Sequence, residues 1–245
     1  MTAFPAGIRA ALRRFWTKRE PEVFSFHQEG VLGTSFELRV RSCLWEAAEE
    51  AERRALAEID RLERIFSVFD PTSEFRQWQA QRGREIRISP ELMCVLQACD
   101  SWREKSAGAF NPATEIFTEV WREAVRENRR PSADELSFCA HQASQVLWSL
   151  NPANQTAVYL AQCPLNLNGI AKGYIVDRAC EAALGEIGER EIIRGVTLSI
   201  GGDLRVHSDR EETAGVSDPD NDAENAPLFA CVRLREGALA TSGDW

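Results

Sequence analysis

Four short glycine-bearing segments concentrate the residues whose types and spacing could do chemistry. They are Gly33-Thr34, Gly169-Ile170-Ala171-Lys172-Gly173-Tyr174, Gly201-Gly202-Asp203 and Thr241-Ser242-Gly243-Asp244. Glycine lets backbone amides come close to a ligand. A helix N-terminus adds unpaired N–H groups and a partial positive charge, which together favour an anion. The second segment stands at such a helix start and carries Lys172 there, so a phosphate-bearing ligand is the chemistry it suits. Taken singly, each segment is as readily an ordinary turn.

Other chemistries are excluded by pattern. The chain has no G-x-x-x-x-G-K-[ST] loop, no G-x-G-x-x-G fingerprint and no G-x-S-x-G elbow. His27, His141 and His207 lack metal-ligand spacing. The cysteines at 43, 94, 99, 139, 163, 180 and 231 form no C-x-x-C pair and read as reduced, mostly buried thiols of a reducing compartment.

The elements that must position these segments follow from periodicity. Residues 22–28 and the alternating Phe36, Leu38 and Val40 predict an opening hairpin broken at Gly33-Thr34. Apolar residues in steps of three and four predict a helix over 44–69. Ile86 and Ile88 predict a short strand. Ser89-Pro90-Glu91 starts a helix that turns Leu92, Val95, Leu96, Cys99 and Trp102 inward and ends near Gly108. A second helix starts at Asn111-Pro112, with Ile116, Phe117, Val120, Trp121 and Val125 behind it. Residues 133–143 are weakly helical. Two short strands around the Asn151–Asn154 turn follow, then a helix over 170–187. Val196, Leu198 and Ile200 predict a strand stopping at Gly201-Gly202, and 228–234 predicts another. The acidic stretch 208–226 reads as a mobile loop or insertion.

At 245 residues with 44% hydrophobic and 27% charged side chains, the composition is that of an ordinary globular protein. The formal charge of −9 argues against a nucleic-acid partner. No apolar run reaches membrane-spanning length. Basic residues gather in the first twenty positions, where Ile8, Leu12, Phe15 and Trp16 fall at helical spacing. This arm, residues 1–21, reads as solvated, with contact to an anionic membrane surface the alternative. It lacks the apolar core of a signal peptide and a lipid-bearing cysteine, which makes the cytoplasm the default compartment.

The order of the segments is more telling than any one of them. Leu32-Gly33-Thr34-Ser35-Phe36 is followed by Ile59-Asp60-Arg61-Leu62 and Phe66-Ser67-Val68-Phe69. Next come Gly108-Ala109-Phe110-Asn111-Pro112, then Asn166-Leu167-Asn168-Gly169-Ile170-Ala171-Lys172-Gly173-Tyr174 with Asp177, then Gly201-Gly202-Asp203 and Ala240-Thr241-Ser242-Gly243-Asp244. From about residue 23 to 245 this series resembles the FAD:protein FMN transferase (ApbE-like) family. The resemblance implies an α/β fold of two interleaved lobes around a flavin cleft, occupying residues 22–245. It implies magnesium-dependent cleavage of FAD, with FMN passing to a threonine or serine hydroxyl of a target flavoprotein and AMP released. It places Leu32, Phe69, Ala109, Phe110, Asn111, Asn166 and Lys172 at flavin-contact positions, with Lys172 the candidate catalytic group, and puts the Gly169 carbonyl at magnesium.

Three departures accompany the resemblance. Asn111 and Asn166 stand where the family usually has aspartates, which keeps hydrogen bonding but removes charge. The family also continues into a segment supplying a histidine and, later, an aspartate and a threonine as magnesium ligands. The domain is therefore expected to be incomplete at its C-terminal end. Non-catalytic flavin binding and FAD pyrophosphatase activity are the alternatives to transfer.

Overall fold

The alternation at Phe36, Leu38 and Val40 is realised in a computed structural model that describes residues 20–185, 192–219 and 227–242. The chain divides into two compact units, one formed by residues up to Asp60 together with those from Ile175, the other by Arg61–Tyr174.

The first unit holds a five-stranded antiparallel sheet. Its strands are β1 (Glu22–Val31), β2 (Thr34–Ser42), β6 (Ile193–Ile200), β7 (Asp203–Val216) and β8 (Ala230–Ala240), in the spatial order β1-β2-β6-β7-β8. Cross-strand partners share a face, so Phe36 with Ile200, Leu38 with Leu198 and Val40 with Val196 make one buried surface. The unit's other buried apolar residues include Ala48, Ala51, Ala55 and Ile59 on helix α1 (Trp45–Phe66) and Ala179, Cys180 and Ala183 on helix α6 (Asn168–Leu184). Small residues on the helices allow close approach, and each large apolar side chain removed from water contributes about 1.5–3 kcal/mol.

The acidic stretch departs from expectation. Residues 208–216 are not a loop but the second half of β7, paired along β8. Both faces of this half are partly wet, so its side chains are polar and the alternation that marks a half-buried strand is missing. A bulge re-aims it: β7 advances from His207 to Glu212 while β8 moves only from Glu236 to Leu234. The Ser208 hydroxyl donates to Glu212 Oε1 at 3.2 Å, Arg210 Nε donates to the same oxygen at 3.0 Å, and Arg41 pairs with Asp209. Arg41 is almost entirely buried, and that burial lowers its pKa. Gly195 makes room for this knot, since a Cβ there would lie 2.6 Å from Ser208 Oγ.

The second unit is mostly helical around a three-stranded sheet in the order β3-β5-β4, made of Glu85–Arg87, Thr156–Tyr159 and Trp148–Asn151. Its helices are α2 (Glu74–Gln79), α3 (Pro90–Lys105), α4 (Glu115–Arg126) and α5 (Ala133–Ser144), with a 3₁₀ turn at Pro112–Thr114. Trp78 anchors the core, its ring 5.2 Å from Tyr159 and 6.3 Å from Trp148. Its indole donates to Ala157 O at 3.4 Å, and Trp148 donates to Asp100 Oδ2 at 3.0 Å, so the polar edges of both rings are satisfied.

Several boundaries shift. Helix α1 ends at Phe66, which leaves Phe69 outside it. Helix α2 carries no sequence expectation, because six residues supply too little periodicity. Trp102, expected to face inward, is half-exposed with Lys105 Nζ 5.4 Å from its ring centre, and Trp121 and Val125 on α4 are exposed as well. The basic arm over residues 1–19, the end of the 170–187 helix beyond Gly185, residues 220–226 and Gly243-Asp244 lie outside the described residues. Among the described residues no helix is long and apolar enough to cross a membrane.

Candidate functional site

Two sets of expected residues emerge, one in each unit. In the second unit the segment 109–113 meets the segment 166–169. Helix α3 ends with Ala107 and Gly108 both at positive φ, 51° and 86°. Gly108 N donates to Arg103 O at 2.8 Å and Ala107 N to Glu104 O at 3.0 Å, the paired bonds that close a helix and turn the chain. Exposed Ala109 and half-buried Phe110 follow, and Phe110 N donates to Ser106 Oγ at 2.9 Å.

Asn111 then caps the 3₁₀ turn. Its Oδ1 accepts from Ala113 N at 3.0 Å, and its Nδ2 donates to Ala143 O at 2.9 Å. An aspartate could accept the first bond but would set a carboxylate oxygen against a carbonyl at the second. The amide satisfies both neighbours at once, sharing Ala143 O with Arg103 Nη2, which donates to it at 2.6 Å.

Asn166 N donates to Pro112 O at 2.8 Å, which staples the two segments together. The Asn166 Oδ1 accepts from Asn168 N at 2.8 Å and leads the chain into α6. Its Nδ2 donates to Glu115 Oε2 at 3.3 Å. Gly169 follows in the first helical turn, where a Cβ would lie 3.0 Å from Phe110 Cε2, so the bare backbone lets the ring lie against it. Lys172 is half-buried, and its ammonium has no hydrogen bond or ion pair among the described residues. The structure therefore brings Phe110, Asn111, Asn166 and Gly169 into one locus at the start of α6, with Lys172 one turn on.

Phe69 is displayed differently. It is 91% exposed on the loop after α1. That loop is wound tightly around hydroxyls: Phe69 N and Asp70 N donate to Ser67 Oγ at 3.3 and 3.2 Å, and Ser73 Oγ donates to Ser67 O at 2.6 Å. Asp70 accepts from Thr72 N and Oγ1 at 2.8 and 2.7 Å, and these bonds hold its carboxyl below the usual value. The backbone that carries the ring is thus pinned while the ring itself lies in water.

The first unit gathers the other glycine turns. Leu32-Gly33 is the two-residue tip of the β1–β2 hairpin, with φ of 50° and 78°, the left-handed pair such a tip needs. Leucine at positive φ is strained, and strain of this kind collects at ligand-contact positions. Gly201 N donates to Ser35 O at 3.0 Å, and Thr241 N donates to Gly202 O at 2.8 Å. The Thr34 and Thr241 segments thus flank the Gly201-Gly202 turn. An open cavity of about 250 Å³ adjoins it, with Glu37, Arg39, Thr197, Ser199 and Thr241 on its wall. None of the residues at expected flavin-contact positions lines that cavity.

Magnesium fits poorly to the described residues. No three His, Cys, Asp or Glu side chains converge among them, and Gly169 offers a single carbonyl. Magnesium takes about six oxygen ligands. Glu115 was not singled out by sequence, because its partner Asn166 is distant in the chain and only the fold joins them.

The family model of the ApbE family matches residues 32–245. The FAD:protein FMN transferase of Treponema pallidum is 27% identical over 236 residues, a match covering 88% of this chain and 63% of that protein. The chain thus spans less than two thirds of the length of this curated relative. Among solved structures, the ApbE protein of Thermotoga maritima aligns with a TM-score of 0.74 at 25% identity, over 91% of this chain and 71% of that one. The apo flavinyl transferase ApbE of Pseudomonas stutzeri aligns at 0.68 and 18% identity, over 91% and 70%, and shares the fold.

Proposed function

Because the chain belongs to the ApbE family, we propose that it moves FMN from FAD to a serine or threonine hydroxyl of a target flavoprotein, releasing AMP. The observation that carries this reading is the junction of the 110–113 and 166–169 segments at the start of α6, with the Lys172 ammonium unengaged beside it. The acceptor oxygen attacks the phosphorus on the FMN side of the pyrophosphate. A new phosphoester bond forms, the bond to the bridging oxygen breaks, and AMP leaves with that oxygen. The hydroxyl proton passes to solvent or to the departing phosphate.

In this reading the positive end of α6, with its Gly169 N–H, and Lys172 offset the negative charge that builds on the phosphate oxygens, since the N–H groups of Asn168, Ile170 and Ala171 already donate to Asn166 Oδ1 and Leu167 O. Phe69, Ala109 and Phe110 hold the flavin. Asn111 acts through the backbone it holds, since its amide is engaged at both ends. Asn166 fixes the α6 turn. The resemblance implies magnesium as well, but the single Gly169 carbonyl among the described residues does not make a site for it.

The reading is tested by incubating the full chain with FAD, with and without a purified flavoprotein acceptor, and separating the products. AMP that appears only with acceptor, matched by flavin that stays on denatured acceptor, supports transfer. FMN and AMP released without acceptor overturn it in favour of pyrophosphatase activity. FAD bound and intact under both conditions overturns it in favour of simple flavin binding.

A further inference from the structure

Glu115 opens α4 with a half-buried carboxylate that is bonded at both oxygens. Oε2 accepts from Asn166 Nδ2 at 3.3 Å, and Oε1 accepts from Arg122 Nη1 at 3.1 Å. The other end of the Asn166 amide accepts from Asn168 N at 2.8 Å. An amide can satisfy both neighbours only one way round, with its NH₂ toward the carboxylate and its oxygen toward the backbone N–H. The carboxylate therefore sets the orientation of Asn166. Asn166 in turn holds the residue that precedes Gly169 in the first turn of α6.

We propose that Glu115 and Asn166 form a charge-oriented pair in which Glu115 is a positioning residue, fixing the α6 turn that receives the ligand. The identity of that ligand rests on the proposed function, while the pair rests on the hydrogen bonds alone.

The pair makes a directional statement about charge. Aspartate at 166 would set two carboxylates at hydrogen-bond distance, with Arg122 largely exposed and able to offset only part of the repulsion. One of the two must then take a proton, and that proton replaces the N–H the amide supplied. Asn166→Asp is thus competent at acid pH and disrupted once both groups ionise. Glutamine at 115 in that background would donate its own NH₂ to the introduced carboxylate and restore the pair with the roles exchanged. The charged neighbours are Glu119, one turn along α4 from Glu115, Lys172, one turn along α6 from Asn168, and Arg103 on α3, whose charge with that of Glu119 acts on Cys163. The other titratable neighbours are two thiols, that of Cys139 on α5, which reaches Ile116 O at 3.9 Å, and that of Cys163 ahead of Asn166. Burial raises the pKa of both thiols, so they stay neutral across the assay range.

The experiment measures FAD binding by flavin fluorescence, and melting temperature without FAD, at about pH 5 and about pH 8. It compares wild type, Asn166→Asp, Glu115→Gln and the double variant. Relative to wild type at each pH, Asn166→Asp is expected to bind FAD about tenfold or more weakly at the higher pH and near normally at the lower, one pKa unit being one decade. Its melting deficit follows the same course, and in the double variant that deficit is small and does not change between the two pH values. A flat Asn166→Asp profile, or a double variant no better than Asn166→Asp, overturns the pair. Failure of wild type to take up FAD overturns the proposed function instead, and the melting deficit then decides the pair by itself.

Discussion

The proposed function gives Phe69 a role that separates binding from folding. Its ring is 91% exposed, so truncation removes almost no intramolecular contact. Phe69→Ala should leave the stability of the free protein within about 0.5 kcal/mol of wild type. Binding is another matter. Full burial of a phenylalanine is worth about 1.5–3 kcal/mol, and a flavin covering most of one face and an edge would realise roughly 1–1.5 kcal/mol of that. Stacking geometry adds about 0.5–1.5 kcal/mol. The sum, about 1.5–3 kcal/mol, corresponds to a roughly 10- to 150-fold rise in Kd for FAD. Fluorescence titration measures the Kd, and urea denaturation without FAD measures stability. An unchanged Kd would refute the display of Phe69 as a flavin surface. A loss of stability as large as the loss of binding would refute the claim that the loop carries the ring without relying on it.

Three further outcomes follow from single contacts. Gly202→Ala places a Cβ 2.5 Å from Thr241 O and endangers the 2.8 Å bond from Thr241 N to Gly202 O. Overpacking and one lost bond together should cost about 2–4 kcal/mol in urea denaturation. Asn111→Asp loses the donation to Ala143 O and turns a carboxylate oxygen toward that carbonyl, partly offset by Arg103 Nη2 on the same oxygen, an expected cost of about 0.5–1.5 kcal/mol at neutral pH by the same method. Cys99 and Cys180 are pushed up to about 12 by burial and therefore remain protonated and unreactive well above neutral pH. Native alkylation followed by intact mass measurement should accordingly modify exposed Cys94 and Cys231 alone among the cysteines.

What was legible in the sequence is what local chemistry dictates. The alternation at 36–40, the Ser89-Pro90 helix start and the glycines at the Leu32-Gly33 and Gly201-Gly202 hairpin tips all carry their structure in adjacent residues. The second half of β7 was not legible, because a strand wet on both faces shows neither alternation nor apolar content. Trp102 and Val125 satisfied helical spacing and still face water, since periodicity marks a stripe without saying what covers it. The resemblance supplied the site residues, and the structure joined four of them through bonds between distant segments. It also gave a reason for the two asparagines. Each donates to an acceptor, Ala143 O or Glu115 Oε2, that an aspartate would repel. That reason depends on neighbours far away in the chain and could not be read from position alone.

The central claim is covalent transfer of FMN, and the mass of the acceptor tests it most directly. A purified flavoprotein acceptor incubated with the chain, FAD and magnesium chloride, then denatured and weighed intact, should gain one esterified FMN. The gain should map to a serine or threonine and vanish when that residue is replaced by alanine. An acceptor of unchanged mass, under conditions where a family member of established activity modifies it, would contradict the account.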